Sequence, residues 1–134
     1  MRTPIGLWIV LTAAAACGTS GPTGGGGGNP LPPTQSVSMG EFSFSPKDVT
    51  IKAGTTVVWT NNGTIEHTAT SDSPGWDSGP LAPPHPINTC DYPPCGTSPG
   101  GTYGFAFTTP GTYPYHCSFH GQTNGMTGTI TVTQ

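Results

Sequence analysis

The sequence predicts an all-β sandwich, on three observations: short β-branched and aromatic runs that alternate apolar with polar, turn chemistry between them, and a scarcity of charge. Glycine (21) and proline (16) are abundant among the 134 residues, while charged residues make up 7%. That balance disfavours long solvated helices and favours strands joined by tight turns. From Val37 the runs Val37–Phe44, Asp48–Ile51, Thr55–Asn61, His67–Ser71, Thr102–Thr108, Thr112–Ser118 and Met126–Thr133 read as strands of a seven- or eight-stranded domain. The breaks fall at Ser45-Pro46, Ala53-Gly54, Asn61-Asn62-Gly63, Thr109-Pro110-Gly111 and the Gly-rich stretch before Met126, each with residues that bend the chain. Val57 and Trp59 share one strand face, as do Phe105 with Phe107, and Tyr113 with Tyr115 and Cys117. Half-buried strands of this kind pack face to face. Helical periodicity is absent.

The N-terminus has a different character. Met1 and Arg2 precede an apolar stretch from Ile5 to Ala16 and then Cys17, the order of a signal peptide. The stretch is too short to span a bilayer stably. Leu11 to Gly18 resembles a bacterial lipobox, with Ala14 where that motif prefers Leu. On this reading residues 1–17 are a signal peptide and Cys17 becomes the lipidated first residue; ordinary secretion is the other reading, and both export the protein. Residues 18–36, rich in Gly, Pro, Ser and Thr with a run from Gly24 to Gly28, read as a flexible tether with a reach of roughly 24 Å. The folded domain is then 37–134.

Between Asp72 and Gly101 there is almost no strand signal, and long structureless loops in compact domains are functional or disordered. This loop carries Cys90-Asp-Tyr-Pro-Pro-Cys95. In an exported protein two cysteines around a Pro-Pro turn are most simply a disulfide, closing so short a loop that it contributes only about 2 kcal/mol. The rival reading makes Cys90, Cys95 and His85 a second metal site.

Chemistry concentrates near the C-terminus. Cys117, His120 and Met126 put a thiol, an imidazole and a thioether within ten residues at the junction of two strands, and His67, beginning another strand after a turn, can join them from across the sandwich. A thiolate and two imidazoles with a weak thioether suit copper in both oxidation states. His116, next to Cys117, is turned by strand alternation to the opposite face and reads as a surface residue. With Arg2 removed, Lys47 and Lys52 stand against six acids, a net −4 that leaves nothing basic to hold nucleic acid.

Phe44-Ser-Pro, the Asn61-Asn62-Gly63 turn before His67-Thr68, Gly111-x-Tyr113-x-Tyr115-x-Cys117-x-x-His120 and Gly125-Met126-x-Gly128 together resemble the cupredoxin family, in particular its plastocyanin- and pseudoazurin-like members, over Phe42 to Val132. The resemblance implies a Greek-key β-sandwich holding one copper, with His67 and His120 as equatorial ligands, Cys117 as thiolate and Met126 as axial ligand. Five residues separate His120 from Met126, one more than such sequences usually have, so Gln122 stands as the alternative axial ligand. Thr68 and Ser118, which follow His67 and Cys117, would tie the two ligand segments together. Residues 83–99 resemble an insertion bearing the extra cysteines. Four ligands leave no open position for substrate, so the expected role is that of a monomeric, non-enzymatic electron carrier, and the N-terminal signal and lipobox-like Cys17 would place it in the periplasm or cell envelope, held to a membrane by its lipid. Its partners would be c-type cytochromes or membrane oxidoreductases, met through an apolar rim at His120 that includes Phe119. The alternatives are copper delivery, or a copper subunit of a larger oxidoreductase.

Overall fold

The computed structural model describes residues 31–134. The expected signal peptide, lipidation at Cys17 and expected linker up to residue 30 lie outside the described residues. Among the described residues ten strand segments and one helical turn follow in order: β1 (Thr34–Gly40), β2 (Ser43–Ser45), β3 (Asp48–Lys52), β4 (Thr55–Asn61), β5 (Thr70–Ser71), β6 (His85–Pro86), β7 (Thr97–Ser98), β8 (Thr102–Phe107), β9 (Gly111–His116), α1 (Gly121–Asn124) and β10 (Thr127–Thr133). They form two four-stranded sheets, ordered β2-β1-β4-β8 and β3-β10-β9-β5, with β6 and β7 as a separate hairpin. Most pairs are antiparallel; β1 runs parallel to β4 and β3 parallel to β10.

The period-two pattern explains how the sheets close on each other. Along β4, Thr55, Val57, Trp59 and Asn61 are buried and the residues between them are half-buried, because this strand is enclosed between β1 and β8, with Val37 and Tyr103 on either side of Trp59. Trp59 is fully buried and stacks on Trp76 at a ring distance of 4.8 Å. Its edge meets Tyr115 of the second sheet at 5.5 Å, and Phe44 packs on the same tyrosine at 4.6 Å. Trp59 and Tyr115 therefore pin the sheets at a fixed spacing, since aromatic pairs bury much area and prefer definite geometries.

Several expectations need correction. The run Val37–Phe44 is two strands, with β1 starting at Thr34, inside the stretch read as tether, and the chain turning at Glu41 and Phe42. Phe42 takes φ of 57°, a left-handed conformation unusual for a bulky residue. His67 does not begin a strand: it forms an isolated bridge with Leu81, and β5 is confined to Thr70–Ser71. The stretch from Asp72 to Gly101 holds β6 and β7, whose main-chain pairing needs no apolar alternation and so leaves no periodic signal. The single turn α1 is likewise too short to show a period; Gly125, at φ 68°, ends it by donating to the carbonyl of Gly121.

Two measurements test the packing. A Cβ at Gly128 would lie 2.5 Å from Tyr115 Cζ and 2.6 Å from the Lys47 carbonyl oxygen, so Gly128→Ala should cost about 1–3 kcal/mol and lower Tm by several degrees in a thermal melt. Burial pushes the Tyr115 phenol from 10.0 up to about 12, outweighing an opposing pull from Trp59. The unfolded chain loses this proton first. Stability should therefore hold below pH 10 and fall by about 2–3 kcal/mol as pH rises towards 12. Denaturant midpoints across that range check it, with Tyr115→Phe expected to lessen the fall and leave the smaller share that the raised Tyr103 phenol contributes.

Candidate metal centre

Two segments from opposite sheets deliver the site. On one side β4 ends at Asn61, whose fully buried amide organises the turn that follows. Its Nδ2 donates to the carbonyls of Ile65 at 2.8 Å and Leu81 at 2.7 Å, while its Oδ1 accepts from the Gly63 amide at 2.9 Å. Leu81 and His67 then exchange main-chain bonds of 3.3 and 2.8 Å. On the other side β9 runs into Cys117, and the ligand loop closes on itself: the amides of His120 and Gly121 donate to the Cys117 carbonyl, Cys117 N–H donates to the Met126 carbonyl at 3.0 Å, and Met126 N–H to that of His120 at 3.3 Å.

These segments bring His67, Cys117 and His120 together. Cys117 Sγ lies 3.8 Å from His67 Nδ1 and 3.4 Å from His120 Nδ1, and the three donor atoms all fall within 4.8 Å of one another. The two imidazoles stand edge to face, 5.0 Å apart. His67, Cys117 and Met126 are fully buried, whereas His120 is half-buried. Cys117 is a free thiol. Gln122 sits exposed on α1.

The donor chemistry fits a copper ion. Burial first, then the neighbouring His120, holds the His67 pKa below the ordinary histidine value, with Glu41 opposing; a neutral ring keeps a lone pair to give. The Thr68 amide points at Cys117 Sγ at 3.4 Å, a donor that steadies negative sulfur. Thr68 Oγ1 accepts from the Ser118 amide at 2.8 Å, and Thr70 bridges the Thr68 and Ser118 hydroxyls at 2.9 Å each. One sulfur and two imidazole nitrogens in this arrangement are a set that soft and borderline metals favour.

Other candidates fall elsewhere. Cys90 and Cys95 form a disulfide, which consumes both thiols of the rival metal site, and His85 is exposed. His116 is not a plain surface residue: it is half-buried and its Nδ1 meets Asp72 Oδ1 at 2.5 Å, linking β9 to the loop after β5. Reading the sequence missed Asn61 as a brace, Leu81 as its partner, and the turn residues Glu41 and Phe42. Phe42 packs edge-on against His120 at 5.0 Å, and Phe119 lies 6.1 Å from the same ring. Both phenylalanines are exposed apolar side chains.

Asn61→Ala would strand two carbonyls and an amide beside His67. We expect a loss of about 2–4 kcal/mol in chemical denaturation, well above the cost of an exposed polar truncation. Asn62→Ala, which removes an exposed bond to Ser38 Oγ, should cost under about 1 kcal/mol.

Comparison with known proteins places this geometry. Residues 34–133 match the copper binding proteins of the plastocyanin/azurin family. The chain is 43% identical over 96 residues to plastocyanin of Scenedesmus fuscus, covering 72% of this chain and 92% of that protein; it spans between 52% and 62% of the length of chloroplastic plastocyanins. Among solved structures, a purple cupredoxin from Nitrosopumilus maritimus superposes with a TM-score of 0.57 at 24% identity, over 74% of this chain and 99% of that one, a likeness of fold. A copper-containing nitrite reductase from Thermus scotoductus gives a TM-score of 0.56 at 30% identity, over 78% of this chain but 23% of that one. With its fold, its His-Cys-His cluster and its sequence in agreement, the chain belongs to the plastocyanin/azurin family of copper-binding proteins.

Proposed function

We propose that this protein is a single-copper electron carrier whose metal is held by His67 Nδ1, Cys117 Sγ, His120 Nδ1 and the Met126 thioether. The carrying observation is the asymmetry of the site: three of the four residues are fully buried, and His120 alone reaches towards an exposed apolar rim. Copper bound there supplies one-electron redox chemistry. The chain's own residues do the rest. His67, Cys117 and Met126 exclude water and leave no open position for a substrate. The scaffold keeps the donor atoms in place whichever charge the metal carries, which lowers the rearrangement that accompanies each transfer. Met126 is favoured over Gln122 as the axial ligand because it is buried and its backbone is bonded to both Cys117 and His120.

Phe42 and Phe119 form a small apolar docking face around the His120 edge, suited to brief encounters. Glu41 and Glu66 border the loops at this end, and the domain's acids outnumber its lysines, so a partner with a basic face is favoured. Such partners are redox proteins of the c-type cytochrome or membrane oxidoreductase kind. The Cys90–Cys95 disulfide supports an oxidising, extracytoplasmic location. Cys17 is the lipid-anchor candidate, which would hold a monomeric domain near membrane complexes. The likeness to one portion of a nitrite reductase supports a second reading, a copper subunit of a larger oxidoreductase.

Adding Cu(II) to the purified metal-free chain should give an intense blue colour saturating at one ion per chain, bleached and restored by reductant and oxidant. Cys117→Ser should be colourless. A colourless wild type, or colour surviving Cys117→Ser, would defeat the electron-carrier reading; saturation at two or more ions would favour the oxidoreductase subunit.

A further inference from the structure

His67 is the more enclosed of the two imidazoles, and its nitrogens have different surroundings. Nδ1 faces Cys117 Sγ, so when Nδ1 gives its lone pair the ring proton resides on Nε2. That nitrogen is buried and has no hydrogen-bond partner. The Glu41 carboxylate borders the same gap as this nitrogen without bonding to it. A methyl group added to Gly63 would sit 3.0 Å from Glu41 Oε1, 3.2 Å from His67 Nε2 and 3.4 Å from Asn61 Oδ1, so the three polar atoms border one small gap that glycine keeps open. The carboxylate is anchored there: Oε1 accepts from the Thr64 amide and, at 2.8 Å, from Thr64 Oγ1. These bonds tie the β1–β2 turn to the loop that leads into His67.

We propose that Glu41 is a positioning residue of the copper centre, biasing the metal towards its oxidised state through the outer nitrogen of His67. The inference rests on the copper site proposed above and assigns it a further determinant. Across this gap, with no direct hydrogen bond, the carboxylate's charge favours electron donation by the ligating ring. A negative charge near the metal also stabilises Cu(II) over Cu(I). Glu41 is itself exposed, so salt screens this charge. The Thr64 bonds, the backbone one foremost, hold its carboxyl below the usual range and keep it ionised. Phe42, the next residue of the same turn, touches the other imidazole. One two-residue turn thus addresses both histidines, with charge towards His67 and an apolar edge towards His120.

The test uses copper-loaded full-length protein equilibrated with redox buffers at low salt and read by the colour of the oxidised site. At the poise where the wild type is half reduced, Glu41→Gln should raise the Cu(I)/Cu(II) ratio about threefold, and the difference should shrink in high salt. Gly63→Ala, which crowds the carboxylate out of the gap, should move the ratio the same way. In Cu(I)-loaded samples Glu41→Gln should shift the His67 Nε2–H proton resonance and leave that of His120 in place. A blue wild type whose redox balance and His67 resonance both ignore Glu41→Gln overturns this role alone. An equal shift from Glu66→Gln, the exposed carboxylate next to His67 in sequence, also overturns it, because the effect would then be one of diffuse charge. A wild type that takes up no copper overturns the metal site and this role with it.

Discussion

The structure depends on holding one sulfur and two ring nitrogens within 4.8 Å of each other, when His67 and Cys117 are fifty residues apart in the chain. A flexible chain brings such groups together only at a considerable entropic cost, and here the sandwich has already met that cost. Trp59 and Tyr115 fix how far apart the sheets stand. Tyr115 lies two residues before Cys117 on the same strand face, and Trp59 two residues before Asn61 on its own. The contact that sets sheet spacing in the core thereby sets the separation of the two ligand-bearing segments one step further along each strand. Core packing and ligand geometry are consequences of the same two strands.

The two sides achieve rigidity differently. The Cys117 side closes through its own main chain, with Cys117, His120, Gly121 and Met126 exchanging amide and carbonyl bonds within one loop. The His67 side has no such ring and relies on the Asn61 side chain, which bonds to three backbone groups and has no exposure to water. A satisfied buried amide is a strong positional constraint because any departure leaves polar groups unpaired. Thr68 and Thr70 then join the two sides through Ser118. A site so fixed changes little between charge states, which is what repeated electron transfer asks of it.

How much could be read in advance follows from how local each signal is. Cys117, His120 and Met126 lie within ten residues, and the alternation of Val57 with Trp59 or Tyr113 with Tyr115 is carried by neighbours two apart, so strands, sheet faces and most of the cluster were legible. Asn61 looked like a turn residue, because its decisive partner Leu81 lies twenty residues on in a stretch with no periodic pattern. Glu41 was invisible for a similar reason, its partner Thr64 being brought close only by the pairing of β1 with β4. The strand expected at His67 failed because this residue pairs with Leu81 as an isolated bridge, so regular pairing starts only at Thr70. His116 was placed on the correct face by alternation, but alternation says nothing about Asp72 waiting there.

The β6–β7 hairpin shows how the centre is held apart from the chain beside it. Its root is closed by bonds that belong to the ligand scaffold: Leu81 pairs with His67, Gly101 donates to the Ala82 carbonyl at 2.8 Å, and Asn61 N–H donates to the Gly101 carbonyl at 2.9 Å. Gly100 is pressed so close to Asn61 that a Cβ would fall 1.7 Å from its carbonyl oxygen. Both ends of the stretch from Leu81 to Gly101 are therefore fixed against β4 and His67. Lengthening a loop whose ends are already held adds entropy only logarithmically and moves nothing at the root. Within it, the β6–β7 pairing and the Cys90–Cys95 bond give the excursion order of its own, independent of the sandwich. The same bonds that position His67 therefore also fix both ends of the hairpin, and the ligand segment and the root of the loop are one structure.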